Sequence, residues 1–177
     1  RLQPQMQHLL AEPPVLAEFD PSKDTFQATT AQLTTASNRT PPGVYTGLSF
    51  KRTSRGKTGL GLMTLVDLPA NAILGEYTGA ALLDVDGEEA ARLYSDASTR
   101  RWLFNVFGEN AFSAELQEKV PSRIIDGSDV DTASIVRFVQ MQQGDLPTNV
   151  VFRYSDNRIF LITTEPVRAG TKLVARH

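Results

Sequence analysis

Apolar and polar positions alternate in short runs along most of the chain, and glycine, proline and asparagine separate the runs. These short apolar runs, bounded by turn residues, predict strands at 45–51, 60–65, 73–77, 102–107, 124–126, 150–154, 158–163 and 171–175. The polar, glycine-punctuated stretch KRTSRGKTG predicts a loop. Residues 68–71, which contain Pro69, predict a turn, and EPVRAG predicts the turn between the last two strands. Helical spacing is confined to two places. In DGEEAARLYSDAS, Asp86 is a capping residue, Glu88 and Glu89 fall in the first turn, and Ala90, Ala91, Leu93 and Tyr94 form the body of a short helix. Residues 134–139 predict a single turn. The fold class is therefore mostly β with short helices.

Residues 1–40 break the pattern. They are rich in Gln, Thr, Ala and Pro, as in EPP at 12–14 and TTAQLTTASNRT at 29–40. They read as an N-terminal arm whose short helix or extended pieces dock on a domain, or as a disordered linker. The domain is placed at 41–177, with an insert region at about 84–121. Within it, GLGLMTLVDLPANAILGEY and RIFLITTEPVRAGTKLVA share one plan: an apolar strand, an acidic residue, a proline-containing turn and a returning strand. Two such hairpins predict related sheets around a common core.

Composition narrows the chemistry. The 177 residues are 41% apolar and 21% charged, enough to build one core. A net charge of −2 provides no global attraction to nucleic acid or anionic membranes. The absence of cysteine excludes disulfides and thiolate zinc sites, and His8 and His177 stand at opposite ends, so no metal is expected. No apolar run approaches the ~20 residues of a membrane span, and the first residues lack a signal pattern. The chain opens with Arg, as an excised segment would. An intracellular protein is expected.

Four stretches, in order, carry a family resemblance: KTGLGLMTLVDLPANAILGEYTG, WLFNVF, RIIDGSDVDTASIVRFV and RIFLITTEPVRAGTKLV. Together they resemble the SET domain of protein-lysine methyltransferases. The last two are most similar to the PR-type subclass, in which an Asp-Gly-x-Asp also precedes the Arg-Phe-Val segment. The resemblance implies several small sheets, a threaded, knot-like C-terminal segment, a nuclear location and S-adenosylmethionine as cofactor. It implies that Gly59, Leu60 and Gly61 approach the cofactor and that Arg137, Phe138, Val139, Gln140 and Met141 run beneath it. Tyr77 would line the lysine channel; read from the residues alone it is a half-buried strand tyrosine, and Glu76 beside it a solvent-facing carboxylate. His177 falls where active members carry a catalytic tyrosine.

Methyl transfer to lysine is an in-line displacement that needs a neutral amine and an aligned methyl group in a channel that excludes water. Gln140 and Met141 stand where active members have Asn and His. A longer amide shifts its hydrogen bonds, and a thioether donates none. Either His177 marks a lost group or the site is completed beyond the residues given. Three functions follow. The first is a degenerate SET domain that serves as an interaction module for chromatin complex subunits or histone tails. The second is an active protein-lysine methyltransferase. The third is a nucleic-acid contact through Lys51, Arg52, Arg55 and Lys57, a loop without interleaved aromatic residues for base stacking. The first is favoured, because both departures fall where the chemistry needs particular side chains.

Overall fold

The computed structural model describes residues 15–20, 25–27, 31–32, 48–52, 60–83, 92, 95, 103–106, 123–129, 131–155 and 158–176. Strands dominate among them: β1 (Val15–Leu16), β2 (Glu18–Asp20), β3 (Thr25–Gln27), β4 (Leu48–Arg52), β5 (Leu60–Thr64), β6 (Ala72–Glu76) and β7 (Ala80–Leu83). They continue with β8 (Leu103–Val106), β9 (Arg123–Asp126), β10 (Gln140–Met141), β11 (Val150–Ser155), β12 (Arg158–Thr163) and β13 (Val174–Arg176). A 3-10 turn, Ile135–Phe138, stands where the sequence predicts a helical turn. Of the helix expected in DGEEAARLYSDAS, Arg92 and Ser95 are helical, and the rest lies outside the described residues. Most of the insert region also lies outside them.

The main sheet has the order β1-β6-β12-β11-β13-β10, and β7-β9-β8, β2-β3 and β4-β5 form smaller sheets. Both faces of the main sheet are covered, which explains why β6 and β12 read as nearly continuous apolar runs. On one face Leu62, Tyr77, Val136, Phe152, Leu161 and Leu173 belong to the larger core cluster. On the other, Ile73, Val151, Phe160 and Ile162 pack with Ala17, and Val15 and Phe26 lie against them. Phe160 is 1% exposed, and burial of such a side chain stabilises by about 1.5–3 kcal/mol. The segment 15–20 is held to the sheet edge: Val15 pairs with Ile73 and Leu16 with Ala72, and the Ala17 amide donates to the Asn71 carbonyl at 2.8 Å.

The C-terminal path departs from the expected hairpin. Residues 171–175 do not return alongside β12. The last strand starts at Val174 and lies parallel to both β11 and β10, inserted between them. Parallel neighbours cannot be joined by a tight turn, and the connections here are correspondingly long. Loop 142–149, which joins β10 to β11, crosses β13. This insertion is where the threaded segment of the family resemblance would lie.

The reason for the departure lies in the two similar hairpin sequences, which exchange partners. Leu68 and Val167 bond each other in both directions at 2.8 Å. The Asn71 amide donates to the Thr163 carbonyl at 2.8 Å, and the Gly170 amide donates to the Thr64 carbonyl at 2.7 Å. Thr64 and Thr163, Leu68 and Val167, and Asn71 and Gly170 thus occupy like places at one constant sequence offset. Asn71 has φ 63° and Gly170 φ 79°, a left-handed conformation that these two residue types adopt at least cost. Each turn is stitched to the strand of the other repeat, and the second is also closed by the Thr171 amide, which donates to the Arg168 carbonyl at 3.1 Å.

Candidate cofactor face and buried tyrosine

Tyr77 follows β6, and its amide donates to the Ile159 carbonyl at 2.8 Å. Its side chain is 1% exposed and meets Phe152 edge to face, with ring centroids 6.0 Å apart. The hydroxyl abuts Gly127. A Cβ at Gly127 would lie 2.5 Å from the Tyr77 Oη, so only glycine leaves room for the phenol as it stands. Arg137, from the 3-10 turn, fixes this wall: its Nη1 donates to the carbonyls of Gly127 and Ser128. Its guanidinium also lies 4.8 Å from the centre of the Phe138 ring. Burial pushes the Tyr77 hydroxyl well above the usual tyrosine range; the Arg137 cation pulls the other way, and Asp126 adds to the rise. The phenol is therefore an un-ionised donor near neutral pH. Burial also lowers the Arg137 guanidinium, against the pull of Tyr77, Asp129 and Asp126.

Several bonds tie the tyrosine to the segment after β9. Ser134 Oγ donates to the Glu76 carbonyl, and Thr78 Oγ1 donates to the Thr132 carbonyl at 2.9 Å. The Glu76 side chain does not face solvent as expected. It is half-buried and pairs with Arg158 at 2.7 Å, because its register partner in β12 is Phe160, over whose ring Arg158 also lies.

A second group gathers on the opposite side of β10 and β13. Gly61, in β5, is buried. Two residues on, Met63 bridges Lys172, and register partners share a face of the sheet. The Lys172 ammonium donates to Gln140 Oε1. Gln140 is 9% exposed. Asn149 clamps the strand beneath: its Nδ2 donates to the Lys172 carbonyl at 2.9 Å, and its Oδ1 accepts from the Val174 amide at 2.9 Å. Met141, the next residue along β10, faces the other way and packs against the cluster that holds Tyr77 and Phe152.

The predicted residues therefore fall into two sets. Gly61 and Gln140 come to one face, with Lys172 joining them. Tyr77, Arg137 and Met141 belong to the other, where Val139 is buried and Phe138 half-buried. Leu60 pairs with Arg52 through the backbone. Gly59 and His177 lie outside the described residues, as do residues 53–57 of the basic loop. The sequence reading gave no role to Lys172, Asn149 or Gly127, although Gly127 carried a signal, the Asp-Gly step after a strand. Among the described residues no acidic or histidine cluster is arranged to hold a metal ion, and no helix is long and apolar enough to cross a membrane.

The SET domain family model matches residues 59–175. This chain belongs to the SET domain family. Its fold is similar to the methyltransferase domain of human PR domain-containing protein 2, at 14% identity over 94% of this chain and 92% of that one, with a TM-score of 0.56. It is also similar to the Neurospora SET domain protein DIM-5, a histone lysine methyltransferase, at 17% identity over 73% of this chain and 51% of that one, with a TM-score of 0.52. At these identities the likeness is one of fold. No curated protein sequence matches.

Methyltransferases of this family use S-adenosylmethionine. The Lys172 and Gln140 side chains do not fit its sulfonium and ammonium groups. The oxygen of Gln140 accepts from Lys172, and the Lys172 ammonium has the same sign as the cofactor's sulfonium and ammonium groups, though it is opposite to the carboxylate.

Proposed function

We propose that this SET-family chain acts as an interaction module whose cofactor face has been altered, and that it serves a nuclear, chromatin-associated complex by binding a subunit or a histone tail. The observation that carries the reading is the Lys172–Gln140 bond: the amide that the family resemblance assigns to the cofactor is turned to an internal cation. Exposed Leu16 and Phe19 add apolar surface at the sheet edge. Calorimetric titration of the protein with S-adenosylmethionine and S-adenosylhomocysteine tests this, with Gly61→Trp as control and circular dichroism to establish folding. Absence of binding is expected. Binding that the control abolishes would overturn the module reading.

In that event the second reading takes its place, a protein-lysine methyltransferase. Tyr77 favours it: the family resemblance assigns this residue to the lysine channel, and its phenol is buried and protonated. Labelled methyl transfer to histones would then be the measurement.

A further inference from the structure

We infer that Lys172 is the specificity-determining residue of the Gly61–Gln140 face: its ammonium holds the Gln140 oxygen and excludes S-adenosyl ligands, and a neutral side chain at this position reopens the face to them. The inference rests on the proposed alteration of the cofactor face and names the residue responsible for it.

Three features carry it. A buried amide oxygen needs a donor, and for Gln140 that donor is a charged one. Charge-assisted bonds are about twice as strong as neutral ones. A ligand that needs this oxygen must therefore compete with a partner that is already attached to the chain.

Lys172 is also anchored in a way that a surface lysine is not. Its backbone bridges Met63 on one side, and its carbonyl is held by Asn149. The next residue, Leu173, is fully buried, with its amide bonded to the Leu62 carbonyl at 2.8 Å. The backbone that carries the side chain is thus fixed beside β5, and the ammonium is held by Gln140.

The sign of the charge supplies the third feature. S-adenosylmethionine carries a sulfonium, an ammonium and a carboxylate and is a net cation, whereas S-adenosylhomocysteine lacks the sulfonium charge and is a neutral zwitterion. A fixed cation in a half-buried place repels the first more than the second. Removal of Lys172 therefore frees the Gln140 oxygen for both ligands and relieves charge repulsion for S-adenosylmethionine alone, so its affinity gains more.

Calorimetric titration of Lys172→Met and Lys172→Arg with both ligands tests this, beside the unaltered protein and the double variant Gly61→Trp/Lys172→Met. Lys172→Gln replaces Lys172→Met if the latter fails to fold. The expected result is binding by Lys172→Met at least about tenfold tighter than by the unaltered protein. The gain should be larger for S-adenosylmethionine, absent in Lys172→Arg and abolished in the double variant. A folded Lys172→Met that binds neither ligand would overturn the inference and leave the module reading in place. Tight binding by the unaltered protein, unchanged in Lys172→Met, would overturn both.

Discussion

Thr163→Val replaces one buried side chain by another of nearly the same shape and removes only the hydroxyl. Thr163 is fully buried. Its Oγ1 accepts from the Ala72 amide at 2.8 Å and donates to the Pro69 carbonyl at 2.7 Å. Valine would leave the amide without that partner inside the protein. An orphaned buried donor costs about 1–3 kcal/mol, and loss of an ordinary hydrogen bond at the part-buried carbonyl costs about 0.5–1.5 kcal/mol. The total is about 2–4 kcal/mol. For a chain of this size each kcal/mol lowers Tm by about 2–4 °C, so a fall of about 5–15 °C is expected. Urea unfolding at 25 °C supplies the free energy directly. Thr163→Ser is the control: it keeps the hydroxyl and removes one buried methyl, at a cost of about 1 kcal/mol. If Thr163→Val proved as stable as the unaltered protein, or more stable than Thr163→Ser, the stitch between the two turns would not depend on this hydroxyl and the reasoning would be refuted.

Other predictions concern the tyrosine. Gly127→Ala should destabilise by about 1–3 kcal/mol through overpacking against the phenol, and Tyr77→Phe in the same chain should restore part of the loss, because it removes the atom that the Cβ meets most closely; thermal melts of both single variants and the double variant check this. Tyr77 also predicts a pH dependence. Below its unfolded value of about 10 the phenol is protonated in both states and its contribution is fully present. As pH rises further, the unfolded phenol loses its proton first, because burial raises the folded value, and stability falls. The decline in Tm above about pH 10 should therefore be shallower in Tyr77→Phe; equal slopes would show that Tyr77 is not the group responsible. Arg158→Ala should cost about 1–3 kcal/mol, since Glu76 would be left half-buried without its cation and Phe160 would lose cover. Chemical unfolding beside Arg158→Lys measures it, and a neutral result would mean that water replaces the guanidinium without cost.

Much of this fold can be read locally. Strand positions follow from short apolar runs bounded by turn residues, nearly continuous in β6 and β12, where both faces of the sheet are covered. The turns at Asn71 and Gly170 follow from residue types that accept a left-handed backbone. The family follows from the order of four stretches. The glycine of Asp-Gly at 126–127 could be seen as well, but not that its missing Cβ makes room for a ring fifty positions earlier in the chain.

What the sequence by itself determined, then, is the set of strands and turns and the residue types each offers. The tertiary structure alone decided which turn joins which strand, and it turned two expected hairpins into a reciprocal exchange, because backbone bonds depend on spatial neighbours and not on sequence distance. For the same reason β13 lies between β10 and β11 and not beside β12. That placement brings Lys172 to Gln140 and sends Met141 to the opposite face with Tyr77. The polar character of Gln140 was visible in the sequence. Its commitment to an internal cation was not, because the lysine stands far along the chain and reaches the amide only through the parallel pairing of the last strand.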